Sequence, residues 1–126
     1  MTPGAFFREP DHFELLARSV LPALARRRNG DVRIWSAGCA SGEEAWSLAM
    51  IVEEAELPAE LDVALIASDG DPRMIARATE AVYGDATMRG VSAARRRRHF
   101  VRGAGPRAGL WRVCASLRDR VDFVGL

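Results

Sequence analysis

The sequence predicts an α/β fold in which helices alternate with the strands of a doubly wound parallel sheet, and three observations carry that expectation. The run DVALIAS at 62–68 is nearly continuous apolar sequence, as in a parallel strand covered on both faces. A second strand-like run, VRIWSA at 32–37, precedes it, and each run is followed by residues spaced as in a helix. A glycine-rich turn, SAGCASG at 36–42, joins the earlier run to its helix, the arrangement of a βα unit that grips a nucleotide.

Residues 11–28 form the first predicted helix. Phe13, Leu16, Val20 and Leu24 share one face, Asp11 and Glu14 make a capping box, Gly30 suits the exit and Pro22 should kink the interior. After the strand at 32–37, Ser41 and Glu44 make a second Ser-x-x-Glu box, opening a helix that runs to about Glu56. Trp46, Leu48, Met50 and Val52 are its candidate buried positions. Beyond the strand at 62–68, Asp71-Pro72 is a cap and first-position pair for a third helix ending near Val82. A short helix is expected from Ser92 to about His99. GAGPRAG at 103–109 reads as a turn-rich loop, and LWRVCA and RVDFVGL as two more short strands. Trp35, Trp46 and Trp111 are read as core, and His12 and His99 as isolated surface or packing residues.

With 126 residues, 48% hydrophobic and 28% charged, the chain is expected to be one ordinary soluble domain spanning 1–126. Eighteen basic and seventeen acidic residues give a formal charge of +1, no global reason to expect nucleic acid. Arg26–Arg28 and Arg95–Arg98 are local basic knots, and the second is read as a solvated helix face in preference to a phosphate-binding one. Cys39 and Cys114 show neither metal-ligand spacing nor a disulfide framework, so no metal is expected. Without a signal peptide or an apolar run near 18 residues, the expected setting is the cytoplasm, with reduced thiols and no membrane insertion.

The chemistry lies in the turn. Glycine lets the backbone bend sharply and approach a ligand closely, but Gly38-x-Ala40-x-Gly42 is not a full dinucleotide fingerprint, and Glu43 and Glu44 follow it directly. A pyrophosphate sits on the positive N-terminus of such a helix, where two glutamates would repel it. S-adenosylmethionine carries no phosphate and offers an ammonium, a carboxylate and a sulfonium instead. Glu43 is the candidate for the ammonium through a charge-assisted hydrogen bond, whereas Glu44 is read as a capping residue. Asp69, following the second strand, is placed to take the ribose hydroxyls, and Asp71 to cap the next helix.

Four stretches, FFREPDHF at 6–13, RIWSAGCASGEEAWSLA at 33–49, ASDGDPRMIARATEAVY at 67–83 and RHFVRGAGPRAGLWRV at 98–113, resemble the chemotaxis receptor methyltransferases known as CheR, in the family's order and at its spacing. The resemblance implies a Rossmann-like class I S-adenosylmethionine-dependent methyltransferase fold. It also implies S-adenosylmethionine as methyl donor, S-adenosylhomocysteine as product and glutamate side chains of chemoreceptors as acceptors. Carried over, it puts Arg8 at the donor's carboxylate, Glu43 on its amino group and Asp69 on the ribose, with Ala37, Gly38 and Gly70 as the backbone around them. Phe6 and Phe7 either anchor the segment that brings Arg8 to the site or simply pack.

The departures are specific. Thr2 and Gly4 stand where the family has an Asn-x-Thr pair, and Glu43-Glu44-Ala45-Trp46 where it has Glu-Glu-Pro-Tyr. The family's N-terminal helical domain and C-terminal half have no counterpart in 1–126, so the expected sheet is an N-terminal half with an open edge, which invites pairing with a second copy or a partner chain. No catalytic residue is assigned. Two functions follow: a methyltransferase domain competent in an oligomer or with a partner, or a non-catalytic module that binds S-adenosylmethionine or S-adenosylhomocysteine and regulates.

Overall fold

A computed structural model of the chain describes residues 5–27 and 29–126. The expected cluster Arg26–Arg28 therefore lies partly outside the described residues, as do Thr2 and Gly4.

The first helical stretch is three pieces, not one. α1 (Pro10–Leu15) opens with Pro10 in its first turn, so Asp11 lies inside the helix and caps nothing; no side chain caps this end. A π-helical turn, Leu16–Val20, then leads into α2 (Leu21–Ala25), whose second residue is Pro22. Proline lacks the N–H that the preceding turn would use, and the widened π turn takes up the mismatch. The expected kink is thus a change of helix type.

β1 (Gly30–Ala37), β2 (Leu61–Asp69) and β6 (Val121–Gly125) form a parallel sheet in the order β1-β2-β6. Gly30 pairs with Leu61 through to Ala37 with Ser68, and Leu65 pairs with Val121 through to Asp69 with Gly125. α3 (Glu43–Glu54) connects β1 to β2, and α4 (Pro72–Glu80) follows β2. The strands step in one direction, so right-handed crossovers place both helices on one face. Trp46 of α3 shows this: its ring lies 5.3 Å from that of Phe123 on β6, and its indole N–H donates to the Ala78 carbonyl of α4 at 3.1 Å. Ala49, Met50 and Ala67 have no exposed surface in this layer.

The other face of β1 is bare among the described residues. Arg33, Trp35 and Ala37 are exposed along it, and Trp35 is 64% exposed, its indole N–H donating to the Ser68 hydroxyl at 2.8 Å. The expectation that Trp35 is core fails because strand side chains alternate, and it is Ile34 and Ser36 on the opposite face that lie beside Ala45 and Leu48 of α3.

Between α4 and β6 lies a second, antiparallel sheet that periodicity did not reveal: β3 (Val82–Gly84), β5 (Leu110–Val113) and β4 (Phe100–Arg102), in the order β3-β5-β4. LWRV belongs here and RVDFVGL to the parallel sheet. Val82, expected near the end of a helix, is the first residue of β3, because Ala81 turns the chain through a left-handed conformation at φ 60°. α5 (Ala93–His99) starts as expected, the Ser92 hydroxyl accepting the Arg95 N–H. A short helix, α6 (Ala115–Arg118), precedes β6.

Only two of the four arginines of α5 form the expected solvated face. Arg95 forms a bidentate pair with Glu54 of α3, at 2.9–3.2 Å, and stacks over the Phe7 ring at 4.3 Å. Arg96 donates to the carbonyls of Val91 and Met88; Arg97 and Arg98 are exposed. Nor is His99 isolated: it is 2% exposed, and its Nε2 lies 2.8 Å from the other Glu54 oxygen. No helix among the described residues is long and apolar enough to cross a membrane.

Candidate functional site

The turn from β1 into α3 alternates backbone conformations. Gly38, Ala40 and Gly42 all have positive φ, at 69°, 48° and 98°. Gly38 faces open space, since nothing lies within 4 Å of where a Cβ would stand. Gly42 is required by packing: an added Cβ would come within 2.8 Å of the Ala78 Cβ and 3.0 Å of the Tyr83 hydroxyl. Ala40 pays for a left-handed conformation with no glycine's freedom, and its N–H is held by Asp69 Oδ2 at 2.9 Å. The Cys39 N–H donates to the Ser68 carbonyl at 2.8 Å, fastening the turn to the end of β2.

Ser41 and Glu44 do not form a capping box. α3 begins at Glu43, its cap is Gly42, and no side chain satisfies its first N–H groups. The left-handed Gly42 delays the helix by two residues, which carries Ser41 out of capping position. Its hydroxyl donates instead to Glu43 Oε1 at 2.5 Å, and its carbonyl accepts from the Tyr83 hydroxyl at 2.6 Å. Glu44 is exposed, whereas Glu43 is only 5% exposed.

Beside this turn is a cleft of about 230 Å³ whose lining includes Arg8, Gly38, Cys39, Ala40, Glu43 and Glu44. Phe13, Leu16 and Leu48 form part of its apolar wall. The two residues before Arg8 are held in place. Phe6 is buried edge-on against Tyr83 and Phe100, and the Phe7 N–H donates to the fully buried Ser47 hydroxyl of α3, which itself donates to the Glu43 carbonyl. These contacts fit both readings of Phe6 and Phe7, anchoring and plain packing.

Carboxylates crowd the turn. Burial pushes the Cys39 thiol up from its ordinary value, and the charges of Asp69, Glu44 and Glu43 add to that effect. The Tyr83 hydroxyl is also raised, first by burial and then by Glu43. The Asp69 carboxyl is lowered from its ordinary value, first by the Asp71 N–H and then by that of Ala40.

Of the residues expected at the site, Arg8, Gly38 and Glu43 meet in the cleft. Ala37, Asp69 and Gly70 sit next to it, at the ends of β1 and β2, with Asp69 joined to the cleft wall through Ala40. Ser41, Ser47 and Tyr83 were not expected there. Tyr83 is 42 residues from its Ser41 partner, and no local pattern signals such a contact. Asp71 caps α4 as expected, accepting the Arg73 N–H.

A parallel sheet with a glycine turn after its first strand and an acidic residue ending its second, beside a cleft holding both a guanidinium and a buried carboxylate, is the ligand-binding end of a Rossmann-like α/β domain. Residues 3–126 match the family described as CheR methyltransferase, SAM binding domain, and the chain belongs to that family. Similar proteins include the chemotaxis protein methyltransferase of Escherichia coli K12, 38% identical over 122 residues covering 97% of this chain and 41% of that protein. Chemotaxis protein methyltransferase 2 of Pseudomonas aeruginosa is 40% identical over 119 residues, covering 94% of this chain and 42% of that protein. The chain spans about two fifths of the length of these curated relatives.

Proposed function

We propose that the chain is the donor-binding half of a protein-glutamate O-methyltransferase. In this reading it holds S-adenosylmethionine as the methyl donor, associates with a second copy or a partner chain, and serves the methylation of glutamate carboxylates of chemoreceptors with release of S-adenosylhomocysteine. The observation that supports this most is the buried carboxylate of Glu43 in the same cleft as Arg8, on a turn built to let a ligand approach. Glu43 pairs with the ligand's ammonium, Arg8 with its carboxylate and Asp69 with the ribose hydroxyls, while the backbone at Ala37, Gly38 and Gly70 allows close contact. The carboxylates of Asp69, Glu44 and Glu43, which add to the effect of burial on Cys39, favour a sulfonium and disfavour a pyrophosphate.

The cleft is smaller than the roughly 300–1,000 Å³ of a typical ligand site. It suits the amino-acid end of the ligand, with the nucleoside lying outward over Asp69. When bound, the sulfonium supplies a methyl group to an oxygen that is already anionic, so no general base is needed. The protein's contribution is then placement, worth up to about 7–11 kcal/mol of barrier when geometry is held. The residues gathered here all face the donor. A second reading is a non-catalytic module that binds S-adenosylmethionine or S-adenosylhomocysteine and regulates. The proposed setting is the cytoplasm, in keeping with two free thiols.

Calorimetric titration with both ligands tests binding, with micromolar affinity expected. Transfer of a labelled methyl group to receptor preparations, with and without candidate partner chains, separates the two readings: label on glutamate supports the enzyme, and binding without transfer to any acceptor leaves the module.

A further inference from the structure

We infer that Ser41 is a positioning residue of this site: its hydroxyl fixes the Glu43 carboxylate for the ligand's ammonium, and Tyr83 holds Ser41 in place. The inference rests on the assignment of Glu43 to that ammonium and adds what orients it.

A carboxylate as buried as Glu43 is costly unless hydrogen-bonded. The start of α3 offers it no capping arrangement. What it receives is the Ser41 hydroxyl, donating to Oε1 at 2.5 Å, the short end of the range for an O–H group on a charged oxygen. Ser41 in turn is not free to drift. Its carbonyl accepts from the buried Tyr83 hydroxyl at 2.6 Å, and the next residue is Gly42, wedged against Ala78 and Tyr83 where a Cβ would collide. On the backbone side, the Ser47 hydroxyl donates to the Glu43 carbonyl at 2.7 Å. A chain of contacts therefore runs from β3 through Ser41 to the carboxylate that lines the cleft. It leaves the remaining lone pairs of Glu43 for a cation while removing the freedom to swing away. Preorganisation of this kind raises affinity by lowering the ordering cost at binding.

The test compares two probes, S-adenosylhomocysteine, which carries the ammonium, and 5′-methylthioadenosine, which keeps the nucleoside and thioether but lacks the amino acid. Ser41→Ala is expected to weaken S-adenosylhomocysteine by about tenfold, the scale of one hydrogen bond to a charged group. Affinity for 5′-methylthioadenosine should stay within about twofold, and Ser41→Thr should restore the first ligand. A general disturbance of the turn moves both ligands together. Loss with both, loss with neither, or a loss that threonine does not restore each overturns the inference. Glu43→Gln is measured alongside. If it leaves the ratio of the two affinities unchanged, the assignment of Glu43 itself falls. If it lowers the ratio while Ser41→Ala does not, only the role of Ser41 falls.

Discussion

Asp69 bonds across the sheet to the backbone of Ala40, its Oδ2 accepting that N–H at 2.9 Å while Oδ1 accepts the N–H of Asp71 at 2.9 Å. One carboxylate thus ties the turn after β1 to the loop after β2. Asp69→Ala is expected to weaken S-adenosylhomocysteine and 5′-methylthioadenosine together, by at least about tenfold, because both ligands carry the ribose hydroxyls that would lose their acceptor. Calorimetry checks this, and equal affinities in variant and wild type would refute the ribose assignment.

Gly42→Ala should destabilise the chain by more than about 1–3 kcal/mol, the usual scale of overpacking. The position combines φ 98° with a predicted Cβ contact of 2.8 Å to Ala78, so strain and collision act together. Chemical denaturation measures it, and a midpoint unchanged from wild type contradicts the geometry of the turn.

The Glu54 carboxylate sets an acid limit. Burial alone would raise it, but hydrogen bonds from Arg95 and His99 outweigh that and hold it below the ordinary value of 4.5. A carboxylate lowered in the folded state stabilises above its unfolded pKa, and that contribution is lost as pH falls through the folded value. Wild type should therefore lose stability steeply below about pH 4.5. Glu54→Gln should be less stable at neutral pH by about 1–3 kcal/mol and flatter over the acid range. Parallel pH profiles for the two proteins would contradict it.

Arg95→Leu separates the anchoring of Arg8 from its charge. It removes both the pair with Glu54 and the cation over the Phe7 ring. The expected result is a severalfold loss of S-adenosylhomocysteine affinity with 5′-methylthioadenosine little changed, because the segment that carries Arg8 loosens. A melting experiment should show a lower midpoint as well.

Pairing along the open edge of the sheet at β1, the strand that carries the exposed Trp35, predicts self-association. Wild type is expected to scatter as a dimer at micromolar concentration and Trp35→Arg as a smaller species. A monodisperse wild-type monomer contradicts the second-copy form of the proposal.

Much of this was legible in the sequence because it is local. Both long strands, the cap at Asp71 and the start of α5 at Ser92 follow from patterns within a few residues. The glutamates after the glycine turn pointed to a cationic ligand for the same reason. What escaped notice is either too short or too distant. β3 and β4 have three residues each, fewer than a period-two pattern needs. The Ser41–Glu44 box matched its template and still failed, because Ala78 and Tyr83, more than thirty residues on, dictate a glycine there. Trp35 misled because hydrophobicity says a residue prefers cover without saying which side of a strand has any.

The three tryptophans now stand in three surroundings: Trp46 sealed at 1% exposure, Trp111 half-buried with its N–H on Asp85, and Trp35 in water. The chain therefore carries its own optical gauge. Emission from Trp46 shifts only on unfolding, whereas that of Trp35 turns blue when something settles over the exposed strand, so one fluorescence spectrum tells loss of structure from gain of a neighbour.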